Sequence, residues 1–311
     1  MSTLRVLVTG AAGFIGSHTV DRLLREGHEV IAVDNFRTGR ATNIRQCAKH
    51  ASFIFEFGDV SQEKVLESFC LKYRPEVVIH LAGLVSVVQA QNDPDLNYLL
   101  NIQTTHTVAE AARVSGVRRV VFASSAAVYG DAPQLPVDEE SITHPISLYG
   151  SAKRISEQIL EGHTQSFGLE TISLRFFNVY GPRQDPQSPY SGVLSIFANR
   201  FESGEPVTVF GDGSQTRDFI SVLDVARALS LAVSTSDVDS ATCNVCTGKP
   251  TSVMDVVREF QALFPFAPEP HFGPPREGEI LHSVGDPQAA SETLSFLAEI
   301  SVKEGLRSLV D

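Results

Sequence analysis

The chain has 311 residues, with 42% hydrophobic and 20% charged residues, which excludes global disorder and suggests about two domains. Its formal charge of −12 argues against a basic nucleic-acid-binding face, but leaves room for a small cationic pocket. No apolar run is long enough for a transmembrane helix, so no membrane partner is expected. The first residues read as a strand and turn rather than a signal peptide, and four cysteines are too few for a disulfide scaffold. Both points suggest a cytoplasmic protein. Cys243 and Cys246 form a C-x-x-C within a short predicted strand, without a second pair to complete a zinc set. They are expected to be buried core residues, and no metal is expected.

In chain order, apolar strands are predicted at 4–9, 29–34, 52–57, 76–82, 118–124 and 169–176. Amphipathic stretches fall between them near 14–26, 62–72, 96–115 and 149–167. This alternation predicts an α/β fold: a Rossmann-type, doubly wound parallel sheet with helices on both faces. After about residue 178 the pattern changes. Gly, Pro and Ser cluster at 181–192, and Gly273-Pro274-Pro275-Arg276 forms a second cluster. Helices are predicted at 222–235 and 252–263. A smaller mixed α/β C-terminal domain, 179–311, is therefore expected over the carboxyl ends of the strands of a first domain, 1–178, to which some later segments return. The ligand cleft should lie between them.

The first predicted strand runs into Gly10-Ala11-Ala12-Gly13-Phe14-Ile15-Gly16 and then a helix. One glycine permits a tight turn, one lets backbone approach a pyrophosphate, and one lets helix pack on strand. The helix N-terminus would face the phosphates. Asp34 closes the second strand, 18 residues after Gly16, where it could accept from adenosine ribose hydroxyls. Asn35-Phe36 follows it instead of an arginine, which favours NAD over NADP. Asp59, followed by Val60, could reach the adenine amino group. Small residues in Leu81-Ala82-Gly83 would let backbone run beside the cofactor.

Ser125 lies at the end of the fifth strand, and Tyr149 and Lys153 are one turn apart on a predicted helix. A phenol with its ordinary pKa near 10 is a poor base at neutral pH. The Lys153 ammonium and an oxidised nicotinamide are expected to favour the phenolate. The phenolate could then take a sugar hydroxyl proton while hydride leaves the same carbon, with Ser125 bonding to that oxygen.

Together with His80-Leu81-Ala82-Gly83, Ser124-Ser125-Ala126-Ala127-Val128-Tyr129-Gly130 and Gly211-Asp212-Gly213-Ser214-Gln215-Thr216-Arg217-Asp218-Phe219, these motifs resemble the extended short-chain dehydrogenase/reductase superfamily, in its nucleotide-sugar branch. Leu174-Arg175-Phe176-Phe177-Asn178-Val179-Tyr180-Gly181 adds to the match, which spans nearly the whole chain. The resemblance implies tightly bound NAD, a UDP-sugar substrate and a homodimer formed through a four-helix bundle from helices 96–115 and 149–167. It places Asn101 and Phe176 at the cofactor. It places Ser86, Asn178, Gly192, Val193, Thr208, Phe210, Arg217 and Arg276 at the substrate.

Dehydratases and decarboxylases of the branch carry acidic residues where this chain has Ala126 and Ala127, which can neither give nor take a proton. The expected reaction is therefore 4-epimerisation of a UDP-hexose through a transient 4-keto sugar. The alternatives are a reductase of nucleotide-4-keto-sugars and a catalytically silent nucleotide-binding scaffold. Ser283 falls where a bulky residue gates the sugar pocket in family epimerases, which implies room for N-acetyl forms. Val85 replaces a lysine found in some relatives, and the chain stops about a helix earlier than many of them.

Overall fold

A computed structural model describes residues 3–185, 192–236, 238–276, 278 and 280–310. The 186–191 part of the predicted Gly/Pro/Ser cluster lies outside the described residues. So do Asp311 and the two glutamates flanking Arg276 and Gly278, Glu277 and Glu279.

Six strands fall where near-continuous apolar runs predict them: β1 (Arg5–Thr9), β2 (Glu29–Asp34), β3 (Phe53–Phe57), β4 (Val77–His80), β5 (Arg119–Ser125) and β6 (Glu170–Phe176). A seventh, Ser240–Val245, comes from the C-terminal part. The parallel sheet has the order Ser240–Val245, β6, β5, β4, β1, β2, β3, and the order reverses between β1 and β4. That is where a doubly wound sheet opens a ligand crevice.

Alternate residues of each strand feed opposite cores, as period two requires. Val6 and Val8 pack with Val20, Leu23, Val225 and Leu229 beneath helices Phe14–Arg25 and Val222–Ser234. Leu7 packs on the other face with Val78, Val120, Phe122, Val108 and Leu160, beneath helices Thr104–Val114 and Leu148–Phe167. Burial on both faces explains why these strands are apolar throughout rather than alternating.

The predicted helix 96–115 begins earlier, at Pro94–Asn97, where Asp93 caps it and Pro94 takes the first turn. It continues as a π-helical segment, Tyr98–Gln103, into Thr104–Val114. Such segments often mark functional sites. This one contains Asn101.

The C-terminal part has its own hydrophobic cluster, which includes Phe197, Phe201, Val209, Phe219, Val257, Phe260 and Leu306. It contains helices Val193–Glu202 and Val253–Leu263 and the short strands Thr208–Phe210, Thr216–Arg217 and His282–Ser283. Cys243 is buried in the main core and Cys246 in a smaller cluster with Tyr129 and Phe177. Burial pushes both thiols well up, that of Cys243 to about 12. All four cysteines are free. Among the described residues no helix is long and apolar enough to cross a membrane.

Candidate active site

The Gly-rich turn is built by backbone proximity. Gly10 has a φ of +68°, and a Cβ there would lie 2.8 Å from the Ala82 amide nitrogen. A Cβ on Gly16 would lie 2.1 Å from the Gly10 carbonyl oxygen, so only glycine lets the helix sit this close to the turn. Gly13 is the N-cap of helix Phe14–Arg25, whose first turn has no side-chain cap and no acidic residue. Its amide end therefore suits a phosphate. Phe14 and Ile15 are half-buried on that first turn.

The Asp34 carboxylate accepts from the Ala12 amide at 2.8 Å and the Phe36 amide at 2.7 Å. It thereby fixes the end of β2 against the Gly-rich turn, and burial holds its pKa above the ordinary carboxylate value. Burial acts in the same direction on Asp59, but hydrogen bonds from Ser61, and one from Asn35, bring that carboxyl below its usual range. Val60 is buried beside it.

At the end of β4, the Thr9 hydroxyl accepts from the Leu81 and Ala82 amides, both at 3.2 Å, and lies 2.9 Å from His80 Nδ1. Burial, with the Lys153 charge adding to it, lowers His80 to about 3, so the ring is neutral. Thr9 already accepts twice, so it donates to Nδ1 and places the ring proton on Nε2. The Asn101 side chain donates to the Leu84 carbonyl and to Asn97 Oδ1, while its own buried Oδ1 has no partner among the described residues. A Cβ on Gly83 would meet that oxygen at 2.7 Å. Glycine at 83, together with this buried acceptor and the uncapped helix end, fits a bound dinucleotide.

Ser125 ends β5, and its hydroxyl accepts from the Ala127 amide at 3.2 Å. Tyr149 and Lys153 share helix Leu148–Phe167, which Ser147 caps. Lys153 Nζ donates to the Ala123 carbonyl at 2.8 Å and lies 4.8 Å from the Phe122 ring centroid. Burial lowers Lys153 to about 8, against which the Glu157 carboxylate acts. Burial pushes Tyr149 up, and only a hydrogen bond from Ser125 pulls it back. The ammonium lies 5.8 Å from the tyrosine ring centroid and is engaged with backbone.

Six of the expected substrate residues line one cavity of about 330 Å³: Asn178, Val193, Thr208, Phe210, Arg217 and Arg276. Asn178 lies two residues past β6, at the carboxyl end of the sheet. The Arg276 guanidinium stacks 4.1 Å from the Phe210 ring centroid, and Arg217 donates to the Thr216 and Leu281 carbonyls. Gly192 is the N-cap of helix Val193–Glu202, and Ser283 is the register partner of Arg217 on the adjoining strand. Ser86 and Phe176 are not on this wall. Ser86 caps helix Val87–Asn92 through the Gln89 amide, and Phe176 is buried at the end of β6.

Arg200 and Gln215 also line the cavity and were not foreseen. Gln215 was legible only as part of a motif, and Arg200 only as a helix-surface charge. A second unforeseen group is Glu157, Arg175, Tyr129 and Asn244. Arg175 and Asn244 were signalled as polar residues inside buried strands, and Tyr129 and Arg175 as parts of motifs, but their grouping with Glu157 was not.

A dinucleotide turn, a Ser125–Tyr149–Lys153 cluster and a cavity bearing three arginines thus share the carboxyl edge of one sheet. They define an NAD-linked enzyme of nucleotide-bound substrates. The chain belongs to the NAD dependent epimerase/dehydratase family, which matches residues 6–246. It is 37% identical to the UDP-glucose 4-epimerase of Mycolicibacterium smegmatis, covering 99% of this chain and 98% of that protein. The UDP-glucose 4-epimerase of Thermotoga maritima, solved with UDP-glucose, superposes with a TM-score of 0.93 at 37% identity, covering 99% and 97% of the two chains. The UDP-glucose 4-epimerase of Thermus thermophilus, solved with NAD, gives 0.89 at 36% identity, covering 99% and 98%.

Proposed function

We propose that the protein is an isomerase that interconverts the C4 epimers of a UDP-hexose, UDP-glucose and UDP-galactose first, with NAD held between turnovers. The observation that carries this reading is the convergence of Ser125 and Tyr149 at the end of β5, with Ala126 and Ala127 following where dehydration or decarboxylation would need an acid.

Residues 1–178 hold the dinucleotide, and 179–311 mainly hold the nucleotide sugar. Gly10, Gly13 and Gly16 admit the pyrophosphate, helped by the amides of Phe14 and Ile15. Asp34 and Asn35 take the ribose, Asp59 and Val60 the adenine, and Leu81, Ala82, Gly83, Asn101 and Phe176 flank the remainder. NAD held by these residues would supply the hydride acceptor and donor for C4.

Tyr149 removes the C4 hydroxyl proton, and Ser125 donates to the oxygen as it becomes a carbonyl. Burial leaves the free phenol above its ordinary pKa, so the Lys153 ammonium and the positive charge that an oxidised nicotinamide would supply are what would make Tyr149 a base. Arg217 and Arg276 grip the diphosphate with permanently charged, bidentate donors while the keto sugar turns over. Asn178, Gly192, Val193, Thr208 and Phe210 line the nucleotide and Ser86 faces the sugar. Tyr149 then returns the proton.

The test is turnover of UDP-glucose by purified protein without added dinucleotide. Strict dependence on added reduced dinucleotide would instead mark a nucleotide-4-keto-sugar reductase.

Ser283 sets substrate size, and its small side chain leaves room for N-acetyl sugars. The Ser283→Tyr variant should lose activity on UDP-N-acetylhexosamines while keeping it on UDP-hexoses, and an unchanged activity ratio rejects the assignment.

The apolar surface of the two long helices, including Tyr98, Val114, Ile155 and Phe167, suits a homodimer, which light scattering reads directly. Four free cysteines suit the cytoplasm.

A further inference from the structure

A polar row runs across three neighbouring strands near their carboxyl ends. Ser124 on β5, Arg175 on β6 and Asn244 on strand Ser240–Val245 are successive register partners, and all three are buried. Glu157 faces this row. It lies one turn past Lys153 on helix Leu148–Phe167 and is fully buried. Its Oε1 accepts from Ser124 Oγ at 2.5 Å and from Arg175 Nε at 2.9 Å, and its Oε2 accepts from Arg175 Nη2 at 2.9 Å and Arg154 Nη1 at 3.2 Å. Arg175 Nη1 donates to the Tyr129 hydroxyl at 2.9 Å, and that hydroxyl donates to Asn244 Oδ1 at 2.7 Å.

A buried carboxylate–guanidinium pair is costly to desolvate and often no more stabilising than an apolar pair of the same size. Its placement is more informative than its strength. Three consecutive residues at the end of β5 each meet the catalytic helix: Ala123 meets Lys153, Ser124 meets Glu157 and Ser125 meets Tyr149. Glu157 holds the middle contact and is itself held by Arg175.

We propose, on the basis of the 4-epimerase reading, that Glu157 is a positioning residue. It locks the helix bearing Tyr149 and Lys153 to the strand end bearing Ser125, and it keeps a negative charge one turn from the Lys153 ammonium. The groups that face Lys153 are Tyr149 and Glu157 from its own helix, neutral His80 from β4, and the Phe122 ring from β5. Glu157 is the carboxylate among them. Arg175 and Arg154, the other charged groups near this corner, are both paired with Glu157, and Arg154 also with Glu161.

The test compares Glu157→Gln, Glu157→Asp and Ser124→Ala with the unaltered protein. Two readouts are used: steady-state kinetics on UDP-glucose across pH, and an NMR titration of Lys153 in protein labelled at its lysine amines, assigned by loss of the signal in Lys153→Met. In Glu157→Gln, kcat should fall about tenfold or more with KM within about twofold. The Lys153 midpoint and the alkaline limb of kcat should both move to lower pH, and Glu157→Asp should restore them. An unmoved midpoint with unchanged kcat overturns the proposal.

Should Glu157→Gln fail to fold, Ser124→Ala decides, because it keeps the Glu157–Arg175 pair. It should lower kcat without moving KM or the Lys153 midpoint, and an unchanged kcat overturns the proposal. Absence of turnover in the unaltered protein rejects the 4-epimerase reading alone. The Lys153 midpoint in Glu157→Gln, which needs no substrate, then decides the role of Glu157: a lowered midpoint supports it and an unmoved one overturns it.

Discussion

Tyr149→Phe should abolish turnover while UDP and NAD remain bound. Positioned acid–base groups contribute about 10²–10⁴-fold, and Tyr149 handles the same proton in both halves of the reaction, so a loss at the upper end of that range is expected. The substitution removes one hydroxyl and no packing. Ser125 still accepts from the Ala127 amide, so the strand end keeps its shape. Arg217, Arg276 and the Gly-rich turn are untouched, so KM and the affinity for UDP should stay within about twofold. Kinetics together with calorimetric titration of UDP separate the two effects. Retained turnover would remove Tyr149 from the chemistry, and lost UDP binding would mean the substitution damaged the fold. Lys153 loses its proton at a pH of about 8 in the chain without dinucleotide, and kcat should fall as that proton is lost, because the phenolate then loses a neighbouring positive charge.

Gly16→Ala should cost the protein its cofactor. The added methyl would stand 2.1 Å from the Gly10 carbonyl oxygen and 2.9 Å from the Ala11 Cα, both backbone atoms with no rotamer to yield. The helix must then move away from the turn that presents its amides to the pyrophosphate. Overpacking of this kind costs about 1–3 kcal/mol. It acts where NAD binds, so NAD affinity should fall at least about tenfold along with the melting temperature. Gly162→Ala is the control. Gly162 is in helix Leu148–Phe167 with open space around its Cα, and alanine there should stabilise by about 0.5–1 kcal/mol. Native-like NAD affinity in Gly16→Ala would show that the close helix–strand approach is not needed for binding.

The parts of the site that were legible in the sequence are those whose chemistry is local. Gly10, Gly13 and Gly16 fall within one turn, and Tyr149 and Lys153 share one helix face. The six strands were legible because burial on both faces makes them apolar runs. Ser240–Val245 read as a short strand, but its place at the edge of the main sheet depends on pairing with β6, which no local pattern encodes. The same holds for the row under Glu157. Tyr129 meets Asn244 across 115 residues of chain, and Glu157 meets Ser124 across 33. Single polar residues in apolar strands signalled that partners must exist, but not which ones. The hydrogen bonding of Lys153 was hidden for a related reason. Spacing put it on the Tyr149 face, but only the folded chain shows its ammonium engaged by the Ala123 carbonyl.

Inversion at C4 without added oxidant can be read from proton NMR of the sugar ring. Purified protein is incubated with UDP-galactose and no added dinucleotide, and the coupling pattern of H4 reports the configuration. The UDP-glucose pattern should grow to a fixed ratio that is also reached from UDP-glucose, and Tyr149→Phe should give no change. Unchanged spectra with both sugars and with their N-acetyl forms, from folded protein carrying NAD, would contradict inversion at C4.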